Sequence, residues 1–135
     1  MLTLAINWTA VLISAVAAML VGALWYSPIL FGKPWMKEVD KEMRDIKQGS
    51  VKKLVASFVT VLAAAVVLDI FIKALDATTI GGGILVSFIA WLGFRETRHW
   101  LAMTFETSTM RHFLINSGHD LVEFIVMGAI LGLLG

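Results

Sequence analysis

Apolar residues run through this chain in long blocks, with the charged residues gathered between them. The first block, from about Leu4 to Tyr26, carries no charged side chain, and none occurs anywhere before Lys33. It is as long as the roughly 20 residues a helix needs to cross a bilayer. Trp25 and Tyr26 stand at its end, where aromatic rings favour the membrane interface, and Pro28 discourages further helix by restricting Ser27. A second block runs from about Leu54 to Leu75 around the uncharged VASFVTVLAAAVVL, with Asp69 and Lys73 one turn apart and able to pair within their own helix. Beyond the DATTIGGG turn, the 18 residues from Ala77 to Phe94 are uncharged, and the apolar pattern resumes at WLAMTF after RETRH. The pattern therefore predicts one helix over about 80–105. The last block covers about Arg111 to Leu134. Only 12 residues follow Glu123, so a crossing here draws His119, Asp120 and Glu123 into the membrane region.

Between the first two blocks lies KPWMKEVDKEMRDIKQG, where Pro34 suits a first helical position and Gly49 a stop. Met36, Val39, Met43 and Ile46 recur at 3-4-3 spacing with charges on the other face, which predicts an amphipathic helix over about 34–48 lying on the membrane surface. The expected fold is thus an all-α membrane protein. It has four transmembrane helices (4–26, 54–75, 80–105, 111–134), one short interfacial helix and a single domain over 1–135.

Composition narrows the function classes. A chain that is 59% hydrophobic with a mean hydropathy of +0.84 is no ordinary soluble domain, so its surroundings are lipid. The absence of cysteine excludes disulfides, thiolate metal sites and thiol chemistry. A formal net charge of +1 speaks against nucleic-acid binding. The opening lacks a basic n-region and its apolar run exceeds a signal peptide's core, so it reads as a retained first span. Seven of the eleven Lys and Arg residues fall between Lys33 and Lys53, and Arg95, Arg98 and Arg111 lie toward the same side of a four-span bundle. By the positive-inside rule, loop 33–53 is expected in the cytoplasm and both termini outside a cell membrane crossed several times.

Small residues mark close helix contacts. Ala10, Ser14, Ala18 and Gly22 fall at every fourth position of the first span, and Gly128 and Gly132 form a GxxxG in the last. They suit packing within the bundle, or contacts between copies in a homo-oligomer.

The string NWTAVLISAVAAMLVGALWYSPILFGKPWM, residues 7–36, resembles the opening of the small four-span membrane proteins grouped as domain of unknown function 1761. Asn7-Trp8, Gly22 with Leu24-Trp25-Tyr26-Ser27-Pro28, and Phe31-Gly32-Lys33-Pro34-Trp35 carry the likeness. WLGF at 91–94 and FLINSGHDLVEFIVMGAIL near the end extend it over most of the chain. The resemblance implies a four-helix integral membrane protein and supplies no activity. The family looks more apolar just after WLGF, so RETRH is either a feature of a subfamily or one of this chain alone.

Two polar stripes remain to be explained. At about 100° per residue, Arg95, Arg98, His99 and Glu106 share one face of the third predicted helix, with Glu96 off it. On the last helix His112, Asn116, His119 and Glu123 repeat at 4-3-4 spacing, and Asp120 widens that face. The short connection between these helices predicts an antiparallel hairpin in which Arg98 lies level with His119 and Arg95 reaches Glu123. Facing stripes offset the cost, about 2.5–3.5 kcal/mol on insertion scales, of a lone charge inside the bilayer.

They form either a structural salt-bridge network or a wet pocket between the third and fourth helices for protons or a small polar or anionic solute. His titrates near neutral pH and Arg binds carboxylate or phosphate. Metal and haem find little support: Glu96 and His99 make a single Glu-x-x-His, di-iron bundles need two, and flanking arginines oppose a cation. No nucleophile elbow, phosphate loop or HExxH occurs, so no enzyme, cofactor or metal is expected. The expectation is a homo-oligomeric transporter or channel component, and the alternative is a packing module whose intramembrane charges are structural.

Overall fold

The computed structural model describes residues 5–27, 30, 50–105 and 109–135 of the 135-residue chain. The interfacial helix expected over 34–48 and the stripe residue Glu106 lie outside the described residues. Within them the chain is all-helical, in four stretches. These are α1 (Trp8–Trp25), α2 (Ser50–Ala74), a third built from α3 (Ile80–Ala90), a π-helical turn (Trp91–Glu96) and α4 (Thr97–Phe105), and α5 (Met110–Leu134). α1, α2 and α5 are each long and apolar enough to cross a membrane. Large apolar side chains such as Leu20, Leu54, Phe94 and Leu133 stand exposed around the bundle, which is the surface a hydrocarbon solvent calls for. The protein is a helical membrane protein.

Local sequence sets the helix ends. Asn7 caps α1 by accepting a hydrogen bond from the Ala10 amide at 3.2 Å, and Thr79 and Thr109 do the same for α3 and α5 through the amides of Gly82 and His112. α2 ends in a Schellman motif: the Ala77 amide donates to the Ile72 carbonyl at 2.8 Å and the Asp76 amide to Lys73 at 3.1 Å. Asp76 takes the left-handed position with φ 52°, a conformation Asp tolerates better than most L-residues.

α5 is the central helix and packs against α3 and α1, while α2 leans chiefly on α1. The core joins Val11, Ala15 and Ala18 of α1 with Ala65, Leu68 and Ile72 of α2 and Met127 and Leu131 of α5. Ala10, Ser14 and Ala18 are fully buried in this core. Along the α3–α5 seam the backbones nearly touch. A methyl group at Gly83 would run into the Gly128 carbonyl, and one at Gly132 into the Thr79 carbonyl. The GxxxG of the last helix therefore meets α3 of the same chain, through dispersion contacts that only small residues permit.

One end of the bundle is tied by polar groups. Lys73 Nζ lies 3.0 Å from an Asp69 carboxylate oxygen and donates to the Ala5 carbonyl, and the Asn7 amide donates to the same Asp69 oxygen at 3.1 Å. Asn7 Nδ2 donates to the Leu134 carbonyl at 2.8 Å. Asp69 and Lys73 thus pair along their helix and, with Asn7, link α1, α2 and α5.

Candidate functional site

At the other end the polar residues converge on Asp120, which is only 4% exposed. Arg95 donates to Asp120 Oδ2 through Nε at 3.2 Å and Nη2 at 2.8 Å, and His99 Nε2 lies 2.5 Å from the same oxygen. The second oxygen, Oδ1, faces His119 Nδ1 at 3.0 Å. His119 Nε2 in turn lies 3.3 Å from Glu123 Oε2, and Glu123 is likewise 4% exposed. One imidazole spans two buried carboxylates. Protonated, it donates to both; neutral, it donates to one.

α1 completes the site. Tyr26 Oη donates to Asn116 Oδ1 at 2.6 Å, and Asn116 Nδ2 lies 2.9 Å from His112 Nε2. The Tyr26 ring rests 5.1 Å from the His119 ring, and the Trp25 indole donates to the Ile115 carbonyl at 3.0 Å. Such approach needs missing side chains: a methyl at Gly22 would stand 3.3 Å from His119 Nε2, and one at Gly118 would stand 3.1 Å from the Trp25 ring. Gly22 thus makes room for the histidine and Gly118 for the tryptophan.

A cavity of about 290 Å³ opens between α1, α2 and α5, with His119, Glu123, Tyr26 and Ser57 as its polar lining and Ala18, Gly22 and Ala23 supplying the space. The expectation put a pocket between the third and fourth helices; this cavity lies on the other side of Asp120. Arg95 and His99 do not line this cavity; they sit across Asp120 from it. Twelve of the fourteen stripe and small-residue positions, among them Arg95, His99, His112, Asn116, His119 and Glu123, lie at this site or in the core. Arg98 is exposed and is not among the groups around Asp120.

The pairing also differs from the expectation. Arg95 meets Asp120 where Glu123 was expected, and Glu96, expected off the face, accepts a hydrogen bond from Ser117 Oγ of α5. Two features cause this. The glycine seam sets the register between α3 and α5, sliding the hairpin by about one turn, and the π-helical turn between Trp91 and Glu96 rotates the side chains that follow. Asp120, Tyr26 and Ser117 are the residues of this candidate site that stripe geometry underrated. Tyr26 sits 90 residues from Asn116, with no local signal of the contact.

A family model described as a protein of unknown function, DUF1761, matches residues 9–132, from α1 through nearly all of α5. The chain belongs to the DUF1761 family. No curated protein and no solved structure matches it. The DUF1761 match spans every residue of the Asp120 cluster, so the site lies within the family's own domain. Among the described residues no group of three or more His, Cys, Asp and Glu side chains is arranged to hold a metal ion.

Proposed function

We propose that the protein is a proton-handling transporter or channel component of the cell membrane, crossing it four times and working as a homo-oligomer. The observation that carries this reading is the line Arg95–Asp120–His119–Glu123, whose last members open into the cavity between α1, α2 and α5. The buried carboxylates of Asp120 and Glu123 share this line with a single arginine, so charge balance in a low-dielectric surrounding asks for one further proton along it. A histidine bridging two carboxylates can pass that proton between them without moving heavy atoms far. A small anion is the weaker solute, because the arginine is turned to Asp120 and the cavity wall offers it a carboxylate.

The third stretch, 80–105, is long enough to be the fourth crossing once Arg95 and Glu96 are satisfied by α5. The distribution of basic residues supports a cytoplasmic loop 33–53 and outer termini. Four helices enclose little volume, which supports assembly of several copies into a conducting unit. No catalysis, cofactor or metal enters this reading. The second reading, a packing module with structural charges, is favoured by one observation: both Asp120 oxygens are satisfied within the chain.

The two are separated in sealed vesicles holding a pH-sensitive dye. With an imposed potassium diffusion potential, the unmodified protein is expected to acidify or alkalinise the lumen faster than empty vesicles, and Glu123→Gln to abolish the excess rate. A protein that folds and yields no flux removes the transport reading and leaves the packing module.

A further inference from the structure

The cavity between α1, α2 and α5 has apolar walls and a carboxylate on one side. Glu123 stands there, 4% exposed, and its ion-pair partner among the described residues is His119, whose Nε2 lies 3.3 Å from Oε2. That distance is longer than an ordinary N–H···O hydrogen bond, and a carboxylate accepts several donors. Glu123 therefore keeps capacity for a second positive group. Around it Ala18, Leu54 and Val61 enclose the space, Met19 adds a polarizable thioether, Tyr26 an aromatic ring, and Ser57 a hydroxyl from α2. At about 290 Å³, against about 30 Å³ for a water molecule's share of the liquid, the cavity has room for a solute of several heavy atoms.

The charge of that solute follows from the groups behind Glu123. With both carboxylates ionised and the histidines neutral, the line Arg95–Asp120–His119–Glu123 carries one negative charge too many for a low-dielectric surrounding. A proton supplies the balance. So does a cation seated in the cavity against Glu123. Either one alone brings the line to neutrality, so the two compete for it.

We infer that this cavity binds a small monovalent organic cation, an amine or quaternary ammonium with a short apolar body, which takes Glu123 as the site's proton leaves to solvent. The exchanged proton is the one in the proton-handling reading, on which this part rests. The apolar walls suit the body of such a cation and Glu123 its charge. A cation of the calcium or magnesium kind asks for about six oxygen ligands, whereas the lining side chains bring oxygens from Glu123, Tyr26 and Ser57 alone. An anion meets the carboxylate, and a neutral solute leaves the excess charge in place. The titratable groups around Glu123 are His119 and Asp120 on α5 and Tyr26 on α1; Arg95 and His99 of the third stretch act through Asp120, and α2 contributes the uncharged Ser57. Falling pH loads this set with the competing proton, so cation affinity falls with it.

The test is isothermal titration of the full chain in uncharged detergent micelles with choline and with its uncharged isostere, in which a tert-butyl group replaces trimethylammonium. Choline's nitrogen holds no proton, so any proton released comes from the protein. Choline is expected to bind about tenfold more tightly than the isostere, and more weakly as pH falls. Its binding should release up to one proton, read from the dependence of the heat on the buffer's ionisation enthalpy. Glu123→Gln removes both the preference and the release. Ala23→Leu, at an exposed position of the lining away from the polar cluster, weakens choline and isostere alike. Equal binding of the two by the unmodified protein, choline binding without proton release, or a preference that survives Glu123→Gln overturns the inference. Proton flux in vesicles without a choline preference removes the cation site and keeps the proton-handling reading. A choline preference with proton release but no flux upholds the cation site and removes transport.

Discussion

Replacing Arg95 and Asp120 in a double-mutant cycle tests the central contact of the site. At 2.8 Å and an effective dielectric constant of about 20, the direct attraction comes to about 6 kcal/mol. Most of it does not survive as net coupling. The Arg95 side chain is 42% exposed and partly screened, and Asp120 shares its charge with His99 and His119 at 2.5 and 3.0 Å. A coupling of about 1–3 kcal/mol is therefore expected between Arg95→Gln and Asp120→Asn, read from unfolding in mixed detergent micelles by circular dichroism. Arg95→Gln alone costs more than the double change, because it leaves a nearly buried carboxylate short of its strongest donor. The companion cycle of Arg95→Gln with Glu123→Gln should couple more weakly than the Asp120 cycle, since Glu123 contacts His119 and reaches Arg95 only through the shared network. Stronger coupling to Glu123 than to Asp120 would refute the register argued here and restore the pairing expected from hairpin level-matching.

Three further outcomes are expected. Gly128→Ala places a methyl against Ser87 and the Gly83 carbonyl and should lower stability in detergent by about 1–3 kcal/mol, whereas Gly93→Ala meets nothing and should be neutral or slightly stabilising; equal effects would refute the close seam. Asp76→Gly relieves a left-handed residue at the end of α2 and should raise stability by up to about 1 kcal/mol, with Asp76→Val lowering it, both by thermal unfolding. Cysteines introduced at Lys41 and Thr79 should react from opposite sides of intact cells, with Lys41 cytoplasmic; labelling of Lys41 from outside would reverse the orientation.

Sequence alone determined the helical class, the membrane setting and the four helical stretches seen among the described residues, because these depend on local quantities. An apolar run is long enough or it is not, and Asn7, Thr79 and Thr109 cap helices through amides three residues away. It also showed that Arg95 and His99 share one helix with polar positions of the last helix facing them, since an isolated charge in hydrocarbon demands a partner. Which partner was beyond its reach. Level-matching counts residues from the turn, yet the register of α3 against α5 is set at the far end, where Gly83, Gly128 and Gly132 let backbones touch, and the π-helical turn then re-aims Arg95 and Glu96. That choice made Asp120 the hub and put Ser117 on Glu96. Likewise, nothing near Tyr26 or Gly22 in sequence announces His119, because α1 meets α5 only after both pack on a common core. The cavity beside Glu123 exists for the same reason: its walls come from three helices whose small residues lie up to about a hundred positions from it, and only their packing brings the space and the carboxylate together.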